Sequence, residues 1–154
     1  MIAEKIHFLK QEYLRLLEKT DPETKAAWGK MNFQQMLEHM SDSFRIANGK
    51  DPHRLYTPVE AVEKYKAFAM SDKPFKENTK NALLADEPAL LRNAKPEQAL
   101  TELQLEINDF FNVFESEPGK TITNPIFGDL NFKEWIQLLH KHAIHHLKQF
   151  GINT

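Results

Sequence analysis

Leu139-His140-Lys141-His142-Ala143-Ile144-His145-His146-Leu147-Lys148-Gln149-Phe150 holds four of the chain's seven histidines. The run reads as one helix. At about 100° per residue, His142 and His146 lie within ~40° of each other. Trp135, Leu139 and Phe150 occupy the same sector, so the pair rides on the stripe that should face the core. Two imidazoles one turn apart on a buried face have the spacing that chelates a divalent cation. The competing reading is a pair of hydrogen-bonded core histidines, and this helix alone leaves the choice open. His140, ~160° from His142, is expected in solvent, and His145, ~60° off the pair, at the edge of the stripe.

Working outward, this helix opens at Asn131-Phe132-Lys133-Glu134, close to a capping box, and runs to Gly151. Three more segments carry helical periodicity. The first holds Ile2, Ile6, Leu9, Tyr13, Leu16 and Leu17 and ends near Thr20-Asp21-Pro22. The second holds Phe33, Leu37, Met40, Phe44 and Ala47, with Asn32 as N-cap and Gly49 as stop. The third holds Leu100, Leu103, Ile107, Phe110 and Phe114, with Pro96 in its first turn and Pro118-Gly119 after its end. Lys120-Thr121-Ile122-Thr123 reads as extended but too short to build a sheet.

Four helices of ~17–20 residues predict an all-α four-helix bundle, a single domain over residues 1–154. The connection from about Lys50 to Lys95 is too long for a hairpin and contains Pro52, Pro58, Pro74 and Pro88. It carries one short helical pattern, Val59 to Phe68. Such a crossover lets helices 2 and 3 run parallel, or wraps one end of the bundle as a lid.

A chain of 154 residues, 41% hydrophobic and 27% charged, has the balance of a globular protein. A net charge of −2 gives no electrostatic reason to bind nucleic acid or an anionic membrane. Lys64-Tyr65-Lys66 and Lys73, Lys76 and Lys80 read as solvated surface. There is no cysteine, so a metal must be held by nitrogen and oxygen, which favours zinc, nickel, iron or manganese over copper(I). Met1-Ile2-Ala3-Glu4-Lys5 lacks the apolar core of a signal peptide, and no run approaches the ~20 apolar residues of a membrane span, so the cytoplasm is expected.

An N/O metal site needs a third protein ligand. His7 lies near the start of helix 1 and His53 in the Pro-rich connection. His39, mid-helix 2, sits ~100° from Met40 on the flank of the core stripe, beside Met36 and Ser43. The helical wheel does not say whether that flank faces helix 4. Glu38 and Asp42 point further out and are expected in solvent.

Asn124-Pro125-Ile126-Phe127-Gly128-Asp129-Leu130, Trp135 and the run Lys141–Phe150 together resemble the C-terminal signature of the DinB/YfiT-like superfamily, in particular its DinB-like branch. Trp28, Asn32-Phe33 and His39-Met40 resemble the helix that precedes that family's crossover and carries one ligand histidine. The resemblance implies a divalent-metal site of His39, His142 and His146, with zinc or nickel favoured and positions left open. Relatives often have histidine before the Pro-x-Phe-Gly segment, where this chain has Asn124, which weakens or alters that role here. The resemblance also implies a homodimer.

A cation on three neutral imidazoles keeps its charge, and so lowers the pKa of bound water towards ~7, polarises a substrate oxygen or activates a thiolate. The superfamily includes thiol-dependent transferases, which use a low-molecular-weight thiol, and proposed hydrolases; either would act on a small-molecule substrate. Glu38, Asp42 and His145 are candidates for a general base, Trp135 and Phe127 for pocket walls, and Gln149 for orienting a ligand histidine. Each also has a plain structural reading. The competing function is a non-catalytic bundle acting as a metal-binding or interaction module.

Overall fold

The computed structural model describes residues 1–77 and 87–154, and these are mostly helical. The first predicted helix is a broken rod: α1 (Ile2–His7), a π-helical turn (Phe8–Glu12) and α2 (Tyr13–Glu18). The wider turn puts the adjacent pair Phe8 and Leu9 into the core together, ahead of Tyr13 and Leu17. Simple 3.6-residue periodicity has no term for such an insertion.

Helix α3 (Phe33–Ala47) starts on a capping box: Gln35 N donates to Asn32 Oδ1 (2.8 Å) and Asn32 N to Gln35 Oε1 (2.9 Å). Helix α6 (Phe132–Gln149) repeats the device with Glu134 N to Asn131 Oδ1 (2.9 Å) and Asn131 N to Glu134 Oε1 (3.0 Å). Its other end is a Schellman motif. Gly151, at φ +68°, lets its own N–H reach the carbonyl of Lys148 and that of Ile152 reach Leu147. Both ends of α6 are therefore closed by local chemistry, which holds its side chains in fixed register.

Helix α5 (Pro96–Ser116) presents Leu103, Ile107, Phe110 and Phe114 to the core, and α3 packs most extensively on it. Helix α6 packs against α1, α3 and α4 (Val59–Met70), while α2 lies on α5. Trp135, Leu139 and Phe150 are buried as the wheel predicts, at 1%, 1% and 3% exposure. No described helix is long and apolar enough to cross a membrane.

The extended stretch does build a sheet, if a small one. Strand β1 (Ile122–Asn124) pairs antiparallel with β2 (Gly128–Leu130), Thr123 opposite Asp129. Asn124 Oδ1 accepts from the N–H of Ile126 (2.8 Å) and of Phe127 (3.0 Å), folding the chain back on itself. Gly128 completes the turn at φ +85°, where an added Cβ would lie 3.1 Å from Val62. The turn supplies the partner strand, which strand propensity alone did not reveal. The indole of Trp135 donates to the carbonyl of Ile122 (3.1 Å) and ties the hairpin to α6.

The crossover is fastened at both ends. Near its start, the N–H groups of Tyr56 and Thr57 donate to the carbonyl of Pro125 and the Thr57 hydroxyl to that of Ile126. At its return, Glu38 accepts from Arg92 N (2.9 Å), Asn93 N (3.1 Å), Asn93 Nδ2 and Gln34 Nε2 (both 3.2 Å). Glu38 is therefore not solvated but 5% exposed, because a segment over fifty residues away in sequence folds across it. Asp42 is exposed as expected and pairs with Arg92 at 3.0 Å. Of the lysine patches, Lys64 and Lys73 are exposed, but Lys66 is half-buried and pairs with Glu134 at 2.8 Å. Lys80 lies outside the described residues.

Candidate metal centre

The contact of α3 with α6 brings His39 to the paired histidines. His142 Nε2 lies 3.0 Å from His39 Nε2 and 3.0 Å from His146 Nε2. One ligand nitrogen from each of the three lies within 4.8 Å of the others, and this is the one such cluster among the described residues. Ligand nitrogens around a tetrahedral zinc, at ~2.0–2.1 Å from the metal, sit ~3.3 Å apart. Two of the three pairs, each 3.0 Å apart, already stand near that spacing.

The protons can be placed by elimination. Gln149 Nε2 donates to the backbone carbonyl of Trp28 (3.0 Å), which accepts only, so the amide orientation is set. Gln149 Oε1 then faces His146 Nδ1 at 2.7 Å, and that nitrogen must carry the proton. His146 Nε2 is left with its lone pair turned into the cluster. His142 Nε2 has at most one proton, so in the all-neutral cluster its two 3.0 Å contacts cannot both be satisfied hydrogen bonds: donating to His146 leaves it no lone pair for His39. Three such nitrogens could hold a shared cation.

Burial also keeps these rings neutral. Desolvation, helped by the charge of His145, pushes His39 down to about 4. Desolvation and His39 push His146 down to about 3, against the opposing pull of the Gln149 bond. His142 falls well below the ordinary imidazole value through burial and its neighbours His146, His39 and His145. Neutral imidazole is the metal-binding form.

The other candidates take separate places. His7 and His53 are exposed, beside Glu12 (3.4 Å) and Asp51 (3.1 Å). His140 is not solvated but half-buried, edge-on to Phe8 at 5.3 Å between ring centres, because the π-helical turn brings Phe8 inward. His145 flanks the cluster, its ring 5.0 Å from that of His146, 5.7 Å from Trp28 and 5.8 Å from Phe75. Trp135 is plain core, and Phe127 packs partly buried against it in the hairpin turn. Asn124 is occupied with that turn. The wall that sequence reading missed is Phe75, whose ring centre lies 6.2 Å from His142. Only Pro74 hinted that the chain turns there.

The sequence model of the DinB superfamily matches residues 8–150, a span that contains all three clustered histidines and Gln149. No curated protein and no solved structure matched the chain. With almost its whole length matched, the chain belongs to the DinB superfamily.

Proposed function

We propose that His39, His142 and His146 hold one divalent cation, zinc or nickel before iron or manganese, and that the site is the centre of a metal-dependent enzyme. The observation that carries this is the convergence of three neutral Nε2 atoms on one point. A structural zinc site normally fills all four positions with protein atoms, whereas catalytic sites use three and leave one open. Among the described residues no carboxylate joins the cluster, which supports the open type.

In this reading the scaffold is one four-helix bundle over residues 1–154 and the working form is a cytoplasmic homodimer. A bound cation would supply positive charge to polarise a substrate oxygen or stabilise a thiolate. The chain's own part is positional. Gln149 holds the His146 tautomer, α6 holds the pair in register, and α3 delivers His39. Both thiol transfer with a low-molecular-weight thiol and hydrolysis of a small molecule start from such a centre.

The test is elemental analysis of protein purified without a polyhistidine tag, beside a His142→Ala/His146→Ala double variant. About one divalent ion per chain, lost in the variant, is the expected result. Wild-type protein that takes up none of the four ions after incubation would overturn the proposal.

A further inference from the structure

Helix α6 carries a second stripe beside its metal-facing one. Gln137, Lys141 and His145 are spaced by four, so they follow one another along the helix with ~40° of drift per step. Each meets the same neighbouring stretch, two of them by donating to its backbone carbonyls. Gln137 Nε2 donates to the carbonyl of Ser71 (3.0 Å) and Lys141 Nζ to that of Phe68 (2.7 Å), and the His145 ring packs edge-on against that of Phe75 at 5.8 Å. Phe68 closes the last turn of α4, so residues 71–77 leave that helix as a strap bound down along α6. Lys141 Nζ also lies 4.6 Å from the ring centre of Phe68 and 5.8 Å from that of Phe75.

The strap delivers one apolar side chain to the metal centre. The Phe75 ring stands edge-on to His142 and to His145 (6.2 and 5.8 Å) and rests on Phe68 at 5.7 Å. Phe75 is half-buried, with its ring against His142 of the cluster. We propose that Phe75, held in place by Gln137, Lys141 and His145, is the size-selecting residue of the site: small ligands pass to the cation, and ligands with a bulky group beside the binding atom must displace the ring. This rests on the three-histidine reading above. It assigns Phe75 to specificity and the α6 stripe to positioning, with neither acting as a metal ligand.

Cobalt(II)-loaded protein, whose visible absorption reports ligands at an open position, tests this with azide as the small probe and benzyl mercaptan as the bulky one. In Phe75→Ala, benzyl mercaptan should bind at least ~10-fold tighter while azide stays within ~2-fold, with Phe75→Leu between. The Gln137→Ala/Lys141→Met variant, with Phe75 intact, should move benzyl mercaptan the same way. In its metal-free form, amide exchange over residues 71–77 should be at least ~10-fold faster than in wild type. Equal benzyl mercaptan affinity in wild type and Phe75→Ala, or equal gains for both probes, would overturn the selector role. Unchanged exchange in the stripe variant would overturn the attachment. A wild type that takes up no cobalt would instead bring down the metal reading itself, and the exchange result separates the two failures.

Discussion

Gln149 Oε1 sits 2.7 Å from His146 Nδ1, and the same amide's nitrogen is spent on the carbonyl of Trp28. One side chain thus joins the loop before α3 to a ring at the centre of the cluster and decides which of its nitrogens is free. Both groups are nearly fully buried, at 3% and 5% exposure, so water does not compete for the bond.

Replacing Gln149 by alanine should therefore weaken zinc binding ~10–100-fold while leaving the stoichiometry intact. Competition against a chromophoric chelator measures it. Unchanged affinity would show that the tautomer is held by something else.

His39→Ala should separate folding from binding. Zinc at a hundredfold excess over its Kd stabilises a protein that binds only when folded by ~2.7 kcal/mol, a rise of several degrees in Tm for a chain of this size. Wild-type protein should show that rise in a thermal melt with and without zinc. The variant, with two nitrogens of the three, should lose most of it.

Glu106 gives the clearest pH dependence away from the cluster. Its carboxylate, 3% exposed, accepts from Arg45 (2.9 Å), Lys50 (2.6 Å) and Asn48 (3.2 Å). Burial alone would raise its pKa, but the bonds from Lys50, Arg45 and Asn48 outweigh burial and hold it below the ordinary 4.5. A carboxyl whose pKa is lower folded than unfolded adds stability that is fully present above the unfolded value and lost as pH falls through the folded one. Glu106→Gln should cost about 2 kcal/mol at pH 7. Its urea midpoint and that of wild type should converge steadily below pH 4.5.

Glu38→Ala should loosen the return of the crossover. Removing the acceptor takes the partner from the part-buried backbone N–H groups of Arg92 and Asn93, at ~0.5–1.5 kcal/mol per lost bond. Urea unfolding should show that loss, and limited proteolysis should cut first near Arg92. Wild-type cleavage rates there would mean that the Arg92 pairs with Glu102 and Asp42 hold the segment by themselves.

Much of this architecture could be read from local pattern. The Asn131 and Asn32 caps, the stripe through Trp135, Leu139 and Phe150, and the spacing of His142 and His146 all follow from rules spanning a turn or two of helix. His39 is the boundary case. Its position on a flank left its direction open, and resemblance rather than the wheel singled it out. What local pattern could not reach depends on distant segments: Glu38 turned inward by Arg92 and Asn93, His140 covered by Phe8, and Phe75 carried to His142. The π-helical turn lies beyond it for another reason, since one extra residue in a turn changes which neighbours face inward without breaking the helix.

The two hydrogen bonds that bind residues 68–71 to α6 use side chains on only one side; the acceptors are the main-chain carbonyls of Phe68 and Ser71. A change at Phe75 alters what the stretch shows to the histidines and leaves both of those hydrogen bonds in place. If Phe75 selects by size, one substitution there alters ligand preference while Gln137 and Lys141 keep the stretch attached.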